Sequence, residues 1–381
     1  MKDELSAYAP IRLRGLAYYQ YARNAVSMGW ITTDGMIQQG LHEDVERVLV
    51  NPATQFVIQS ALAGDLPGSA AGQTMAKVLS YSDWVPLFGQ YEACGKQIFD
   101  LHDSLTELLK HTDVHECTLE DLHLPYDCIY LHFGKLTEVR HIFDGEAGTY
   151  EYVDGVFVAQ SPWDAHGGSR IKLGFSTVHD DGSGVMYPGL FFDILPEERK
   201  LPVFEGLNRA MQRRQETHAH SNEASDTENQ IREHMRAADE EGAQYLRDAA
   251  SYVVNALFYL ESLNNDLPPV SPGRDTPPSL WTKWASAPPR NRLKQRSSLL
   301  ANGYAVVRLV GEGVSSSASQ SASNASRKVH WRRGHWRQQP YGENHSLRRR
   351  RWIKPILVGA GDGPTVTHGH IYVPPGSDLP Q

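Results

Sequence analysis

The spacing of apolar residues changes near Tyr126, and that change restricts the chain to a fold mixing helices with an antiparallel sheet. Before it, from Ile11 to about Asp121, the period is helical: Ile98, Leu101, Leu105, Leu108 and Leu109 recur at intervals of three and four, and Thr118-Leu119-Glu120-Asp121 has the form of a capping box. Four or five helices are expected there. After it the period falls to two, in runs from Asp127 to Phe133, Glu138 to Phe143, Thr149 to Val158, Arg170 to Thr177 and Val185 to Ile194. Gly134-Lys135, Asp144-Gly145, Asp154-Gly155 and Asp180-Asp181-Gly182 punctuate these runs. Connections this short cannot make parallel crossovers, so four or five strands should form an antiparallel meander. Beyond a polar stretch, Tyr245, Ala249, Tyr252, Val253, Ala256, Leu257 and Leu260 share one helical stripe that should pack on the sheet. The predicted class is α+β: N-terminal helices, a central antiparallel β-meander with one long helix, and C-terminal strands with a basic aromatic motif.

Composition marks the expected boundaries. A helical N-terminal part covers 1–125, and the sheet with its long helix covers 126–265. A linker covers 266–295, because the seven prolines between 263 and 292 disfavour both regular structures. The C-terminal part, 296–381, holds a strand from Tyr304 to Val310 and a Ser-rich stretch, 311–326, with seven serines in sixteen residues, which should be a flexible loop. The basic motif, 327–358, follows, with a short apolar strand from Trp352 to Val358. No internal repeat is present.

The longest apolar run, Tyr252 to Leu260, is half of what a bilayer crossing needs, and the first residues are too polar for a signal peptide, so neither membrane nor export is expected. Cys94, Cys117 and Cys128 are too few and too clustered for a disulfide framework, which suits a reducing, cytoplasmic setting. Charge is unevenly placed. Residues 327–381 hold ten Lys or Arg against Glu343, Asp362 and Asp378, a net of +7, which leaves −15 on the rest of a chain whose formal total is −8. An acidic body repels phosphate, so a compact basic segment suggests one specific polyanion contact rather than general nucleic-acid coating. The same segment could instead dock on the protein's own acidic surface.

Within that segment, guanidinium and aromatic groups alternate through Trp331, Arg332, Arg333, His335, Trp336 and Arg337, and again through Arg348, Arg349, Arg350, Arg351 and Trp352. Aromatic faces stack on bases, and Arg makes bidentate phosphate contacts and stacks in turn, so these eleven residues are the candidate RNA-binding set. In an extended strand one face would bind while the other packs. Anchoring of a terminal strand on the core is the competing use of the three tryptophans. A metal-independent ribonuclease centred on His335, with Arg333 and Tyr341, has the right residue types for acid–base chemistry and is the enzymatic alternative. No metal is expected: the histidines and cysteines between His111 and His132 include no C-x-x-C pair. No cofactor is expected either, since Pro364 stands where a helix would have to open after Gly359-Ala360-Gly361-Asp362-Gly363, and neither a P-loop, G-x-S-x-G nor H-E-x-x-H occurs.

The pattern His330-x-Arg332-Arg333-Gly334-His335-Trp336, continued by Arg351-Trp352-x-x-Pro355 and Val358-x-Ala360-Gly361, resembles the type V-A anti-CRISPR family of phages and plasmids that blocks biosynthesis of the type V-A RNA-guided nuclease. Leu124-Pro125-Tyr126-Asp127-Cys128-Ile129-Tyr130 with Gly155-Val156-Phe157-Val158, and Tyr304 to Gly313, extend the resemblance to residues 124–160 and 303–361. It implies an inhibitory protein in the cytoplasm of a bacterial host. Such a protein recognises the nascent N-terminal peptide of a CRISPR effector nuclease and triggers loss of the mRNA being translated, with the basic motif contacting RNA or the ribosome. The implied partners are therefore a nascent polypeptide and RNA or a translating ribosome. The Ser-rich insertion, the long acidic body and the Pro-rich stretch depart from the family pattern. A structural phage protein, using the basic motif only for internal packing, is the remaining reading.

Overall fold

A computed structural model describes residues 6–38, 40–41, 84–120, 122–137, 139–142, 150–163, 168–179, 184–185, 191–219, 248–263, 266–314, 318–319 and 330–358. The helices in chain order are α1 (Ala9–Arg12), α2 (Ala17–Ser27), α3 (84–93), α4 (Asp103–Lys110), α5 (Pro196–Arg199), α6 (Val203–Ala219), α7 (248–262), α8 (Pro278–Ala285) and α9 (Pro289–Ala301). Strands β1 (Gln97–Leu101), β3 (Cys128–His132), β4 (Arg140–Ile142), β5 (Tyr150–Pro162), β6 (Ser169–His179), β7 (Gly184–Val185), β8 (Phe191–Ile194), β9 (Val270–Pro272) and β10 (Val306–Val310) form the central sheet. Its order is β7-β6-β5-β3-β1-β10-β9, with β4 beside β5 and β8 beside β6. Two smaller sheets use β2 (Thr112–Asp113), β11 (Ala318–Ser319), β12 (His330–Arg332), β13 (Gly334–Tyr341), β14 (Leu347–Ile353) and β15 (Ile356–Val358), in the orders β11-β15-β12 and β14-β13-β2.

The class is α+β, and the pairs β3–β5, β5–β6 and β6–β8 are antiparallel, as the short connections imply. The sheet also extends into territory that reads as helix. Ile98 and Leu101 lie on β1, which runs parallel to both β3 and β10, so β1-α4-β3 is a crossover unit. A strand buried on both faces has no polar side to alternate, and its apolar residues match a helical period by accident. The helix starts only after His102, whose ring accepts the Ser104 N–H as an N-cap. No helix starts at Thr118 either, where Pro125 would fall inside the first turns; Leu119 instead gives its N–H to Arg199 O at 3.0 Å.

Alternate residues feed two cores. Ile98, Cys128, Tyr130 and Phe157 meet α1, α2 and α3, including Tyr8, Tyr19, Trp84 and Phe88. Phe99, Leu101, Ile129, Leu131, Val156 and Val158 meet α4, α6 and α7. The N-terminal helices are fastened to the sheet by charge as well. Buried Asp100 accepts from Tyr8 Oη at 2.8 Å and from Arg274 Nε at 2.8 Å, and Arg12 pairs with Asp154 at 2.6 Å, both side chains almost fully buried. Asp154-Gly155 is not a turn but a bulge inside β5. A Cβ at Gly155 would lie 2.1 Å from Tyr130 Oη, so only glycine lets β3 and β5 approach there.

Three further expectations change. The Pro-rich stretch contains β9, α8 and the start of α9; Pro278 and Pro289 occupy first-turn positions, where the missing N–H costs nothing. Of the Ser-rich stretch only 311–314 and 318–319 are described, and Ala318–Ser319 pairs in parallel with Leu357–Val358. The terminal apolar run divides at Lys354-Pro355 into β14 and β15, since Pro355 has no N–H for a ladder. The turn signals at Asp144-Gly145 and Asp180-Asp181-Gly182, and the helical residue Tyr245, lie outside the described residues.

Candidate functional site

Helix α7 explains how the basic motif is held. Its stripe predicts one buried side, yet from Ser251 to Phe258 every residue is buried, because the sheet covers one side and the β13–β14 hairpin the other. Two tryptophans of the motif make that second contact. Trp336, 7% exposed, meets Phe258 edge-on at 5.7 Å and donates Nε1–H to Asn255 Oδ1 at 2.9 Å. Asn255 donates in turn to Thr112 O at 3.0 Å. Trp352 stacks on Trp336 at 6.0 Å, meets Tyr259 edge-on at 5.4 Å and donates Nε1–H to Thr112 Oγ1 at 3.1 Å. Arg350 also turns inward: its guanidinium lies 3.8 Å over the Phe258 ring and pairs with Glu261, and Nη2 donates to Thr118 O at 3.3 Å. Burial pushes the Glu261 carboxyl above its ordinary range, opposed by Arg350 and His123. Gly334 permits the close fit, since a Cβ there would lie 2.6 Å from Pro355 Cδ and 2.8 Å from Ile353 O.

The other face of the hairpin points outward. Cross-strand register pairs His335 with Ile353, Arg337 with Arg351, Gln339 with Arg349 and Tyr341 with Leu347. Arg337, Arg349 and Arg351 are exposed, with no carboxylate partner among the described residues, and Arg349 lies 5.6 Å from the centre of the Tyr341 ring. Arg348 folds back onto His345 O at 2.5 Å and serves the turn. Arg332 and Arg333 are exposed where β12 passes into β13. Trp331 stacks on His111 at 4.4 Å and 20°, and His111 Nε2 lies 3.3 Å from Glu107 Oε1.

The eleven residues of the sequence-derived RNA set therefore divide. Trp336, Trp352 and Arg350 are spent on α7, Trp331 on His111 and Arg348 on the turn, while Arg332, Arg333, His335, Arg337, Arg349 and Arg351 face outward. The ribonuclease candidates do not converge: His335 and Tyr341 stand six residues apart on β13, roughly 20 Å at strand rise. Among the described residues no three His, Cys, Asp or Glu are grouped to hold a metal ion. No described helix is long and apolar enough to cross a membrane. A cavity of about 50 Å³ between α4, α6 and α7, lined by Leu109, Val114, Phe204 and Tyr252, has room for a few waters but not for a base. Asn255, Thr112 and Glu261, which orient the motif, were not evident from its sequence. Asn255 carries the detectable signal, as a lone amide within the apolar run Tyr252 to Leu260.

The family described as AcrVA2-like, Anti-CRISPR type V subtype A2 family, matches residues 99–360, from β1 through β15. No curated protein matches the chain. A solved structure titled "Crystal structure of AcrVA2" is 14% identical, covering 90% of this chain and 100% of that one, with a TM-score of 0.37. The matched region holds the central sheet, α7 and the whole basic hairpin, and on that ground the chain belongs to the AcrVA2-like family of type V subtype A2 anti-CRISPR proteins.

Proposed function

We propose that this anti-CRISPR protein inhibits by recognising the nascent N-terminal peptide of a type V-A effector nuclease and triggering loss of the translated mRNA, with the basic hairpin against RNA or the ribosome. The supporting observation is the two-sidedness of that hairpin. Its inner face is fixed to α7 by Trp336, Trp352 and Arg350, and its outer face carries Arg337, Arg349 and Arg351 without a carboxylate among the described residues. A rigid cationic face on an otherwise acidic chain suits a phosphate backbone and gives little attraction elsewhere. The acidic remainder suits a peptide of opposite charge. The inhibitory role follows from family membership, whereas peptide recognition rests on the resemblance at residues 124–160 and 303–361.

The test is affinity capture of the tagged protein from bacteria translating the nuclease, followed by sequencing of the attached RNA and mass spectrometry of attached peptides. The expected result is enrichment of the nuclease message together with its N-terminal peptide. Recovery of the message at the level of unrelated transcripts would overturn the reading.

A further inference from the structure

The outer face of β13–β14 contains an arrangement that folding alone does not favour. Arg337 and Arg351 are directly opposed across the two strands, both exposed, and Arg349 follows Arg351 on the same face. Like charges placed directly opposite destabilise a hairpin, and no described carboxylate relieves this pair. Beside it the face offers flat and apolar surface: Tyr341 is 41% exposed with Arg349 over its ring, and Ile353 is 37% exposed at the far end. Between Arg327 and Val358 the sequence has one carboxylate, Glu343, and it lies in the turn rather than on the strands.

Two ordinary explanations fit less well. Charged residues on an edge strand discourage pairing with another chain, and β14 is an edge. That purpose needs one charge on β14, and it gives no reason for a second arginine on the inner strand β13 opposite the first. Docking on the protein's own acidic surface is the use made of Arg350, which pairs with Glu261 from the inner face. Arg337, Arg349 and Arg351 point the other way.

The geometry points to single-stranded RNA as the occupant of this outer face, with phosphate held between Arg337 and Arg351 and a base stacked on Tyr341 beside Arg349. A phosphate bridging the two guanidiniums turns their repulsion into a shared contact. The exposed ring adds a platform that only an unpaired base can use, which favours a single strand over a duplex. This inference deepens the RNA contact proposed above and rests on it. It assigns that contact to one face of the hairpin and excludes the motif's inward tryptophans.

The experiment measures binding of the full chain to a short fluorescent single-stranded RNA of mixed sequence, to the matching duplex and to polyglutamate, across a salt series. R337Q/R351Q should reduce the slope of log affinity against log salt by about 0.7, the value for the one phosphate that the two arginines share on a single strand, while thermal melting is unchanged or improved. Y341A should weaken single-strand binding on the order of tenfold with no change in slope, and should leave duplex binding unaffected. R290Q/R292Q removes two exposed arginines from α9 and should change neither quantity. If the wild type binds RNA and R337Q/R351Q matches it, or matches R290Q/R292Q, this face is not the site although the RNA contact stands. If the wild type does not bind RNA, the contact and this inference both fail. Polyglutamate competing as well as RNA, or unfolding of R337Q/R351Q, would also overturn the assignment.

Discussion

Trp336 connects the motif to the body of the protein, so its replacement measures how firmly the hairpin is held. The indole is 7% exposed, packs on Phe258 and Trp352, and satisfies Asn255, itself only 4% exposed. Trp336→Ala removes the ring, at about 3–5 kcal/mol for a large aromatic in a core. It also leaves Asn255 Oδ1 without its donor, which costs about 1–3 kcal/mol more. Single domains are stable by about 5–15 kcal/mol, so the variant should be close to unfolding. Trp336→Phe separates the contributions, since it keeps a ring and loses the N–H, and should cost about 1–3 kcal/mol. Urea denaturation is the assay, with a shifted midpoint at unchanged slope for the phenylalanine variant. Its RNA affinity and salt slope should match the wild type, because the ring lies on the inner face. Loss of less than about 1 kcal/mol in the alanine variant would refute the anchoring argument, as a buried tryptophan with a buried partner cannot be removed so easily.

Other positions give independent checks. The Glu107 carboxylate is held at about 2, first by its bond to His111 and then by the Lys110 charge. A depressed carboxylate contributes stability above its ordinary value near 4.5 and loses it as pH falls toward 2, so acid titration of the melting temperature should show this loss, and Glu107→Gln should flatten it. Gly155→Ala places a methyl 2.1 Å from Tyr130 Oη and should cost about 3 kcal/mol or yield insoluble protein; a melting temperature like the wild type's would show that β3 and β5 are not so close. Tyr8→Phe leaves the Arg274 N–H and one contact of buried Asp100 unmet, and chemical denaturation should show a loss of about 1–3 kcal/mol.

The parts of the fold that were legible in the sequence are those whose apolar runs are bounded by turn residues and short connections. The meander from β3 to β8 is marked off by turn chemistry such as Gly134-Lys135, although β3 and β5 are themselves buried on both faces. Strand β1 is buried on both faces in the same way, with Ile98 in one core and Phe99 in the other, but it runs into α4 with no turn between them, so nothing separates it from the helical period. Asp154-Gly155 has turn chemistry, and what places it mid-strand is a contact with Tyr130, a residue on another strand. The prolines at 278 and 289 mislead because the same residue that breaks a helix interior also starts a helix. In the site, composition located the basic segment and alternation implied two faces. Arg350 was the residue that could not be assigned. It lies in a run of four arginines, and only the ring of Phe258 and the carboxylate of Glu261 determine that it alone turns inward.

The central claim, that inhibition reads a peptide and acts on its message, is tested most directly by transcript abundance in bacteria carrying two altered nuclease genes. In one, the first codons are synonymously recoded, which changes the RNA and keeps the peptide. In the other, a compensated frameshift over the same codons keeps nearly all the RNA and changes the peptide. With the wild-type protein present, the recoded message should be lost and the frameshifted message should persist, and R337Q/R351Q should spare both. Loss of the frameshifted message with survival of the recoded one would show that the RNA sequence itself is recognised and would contradict the account.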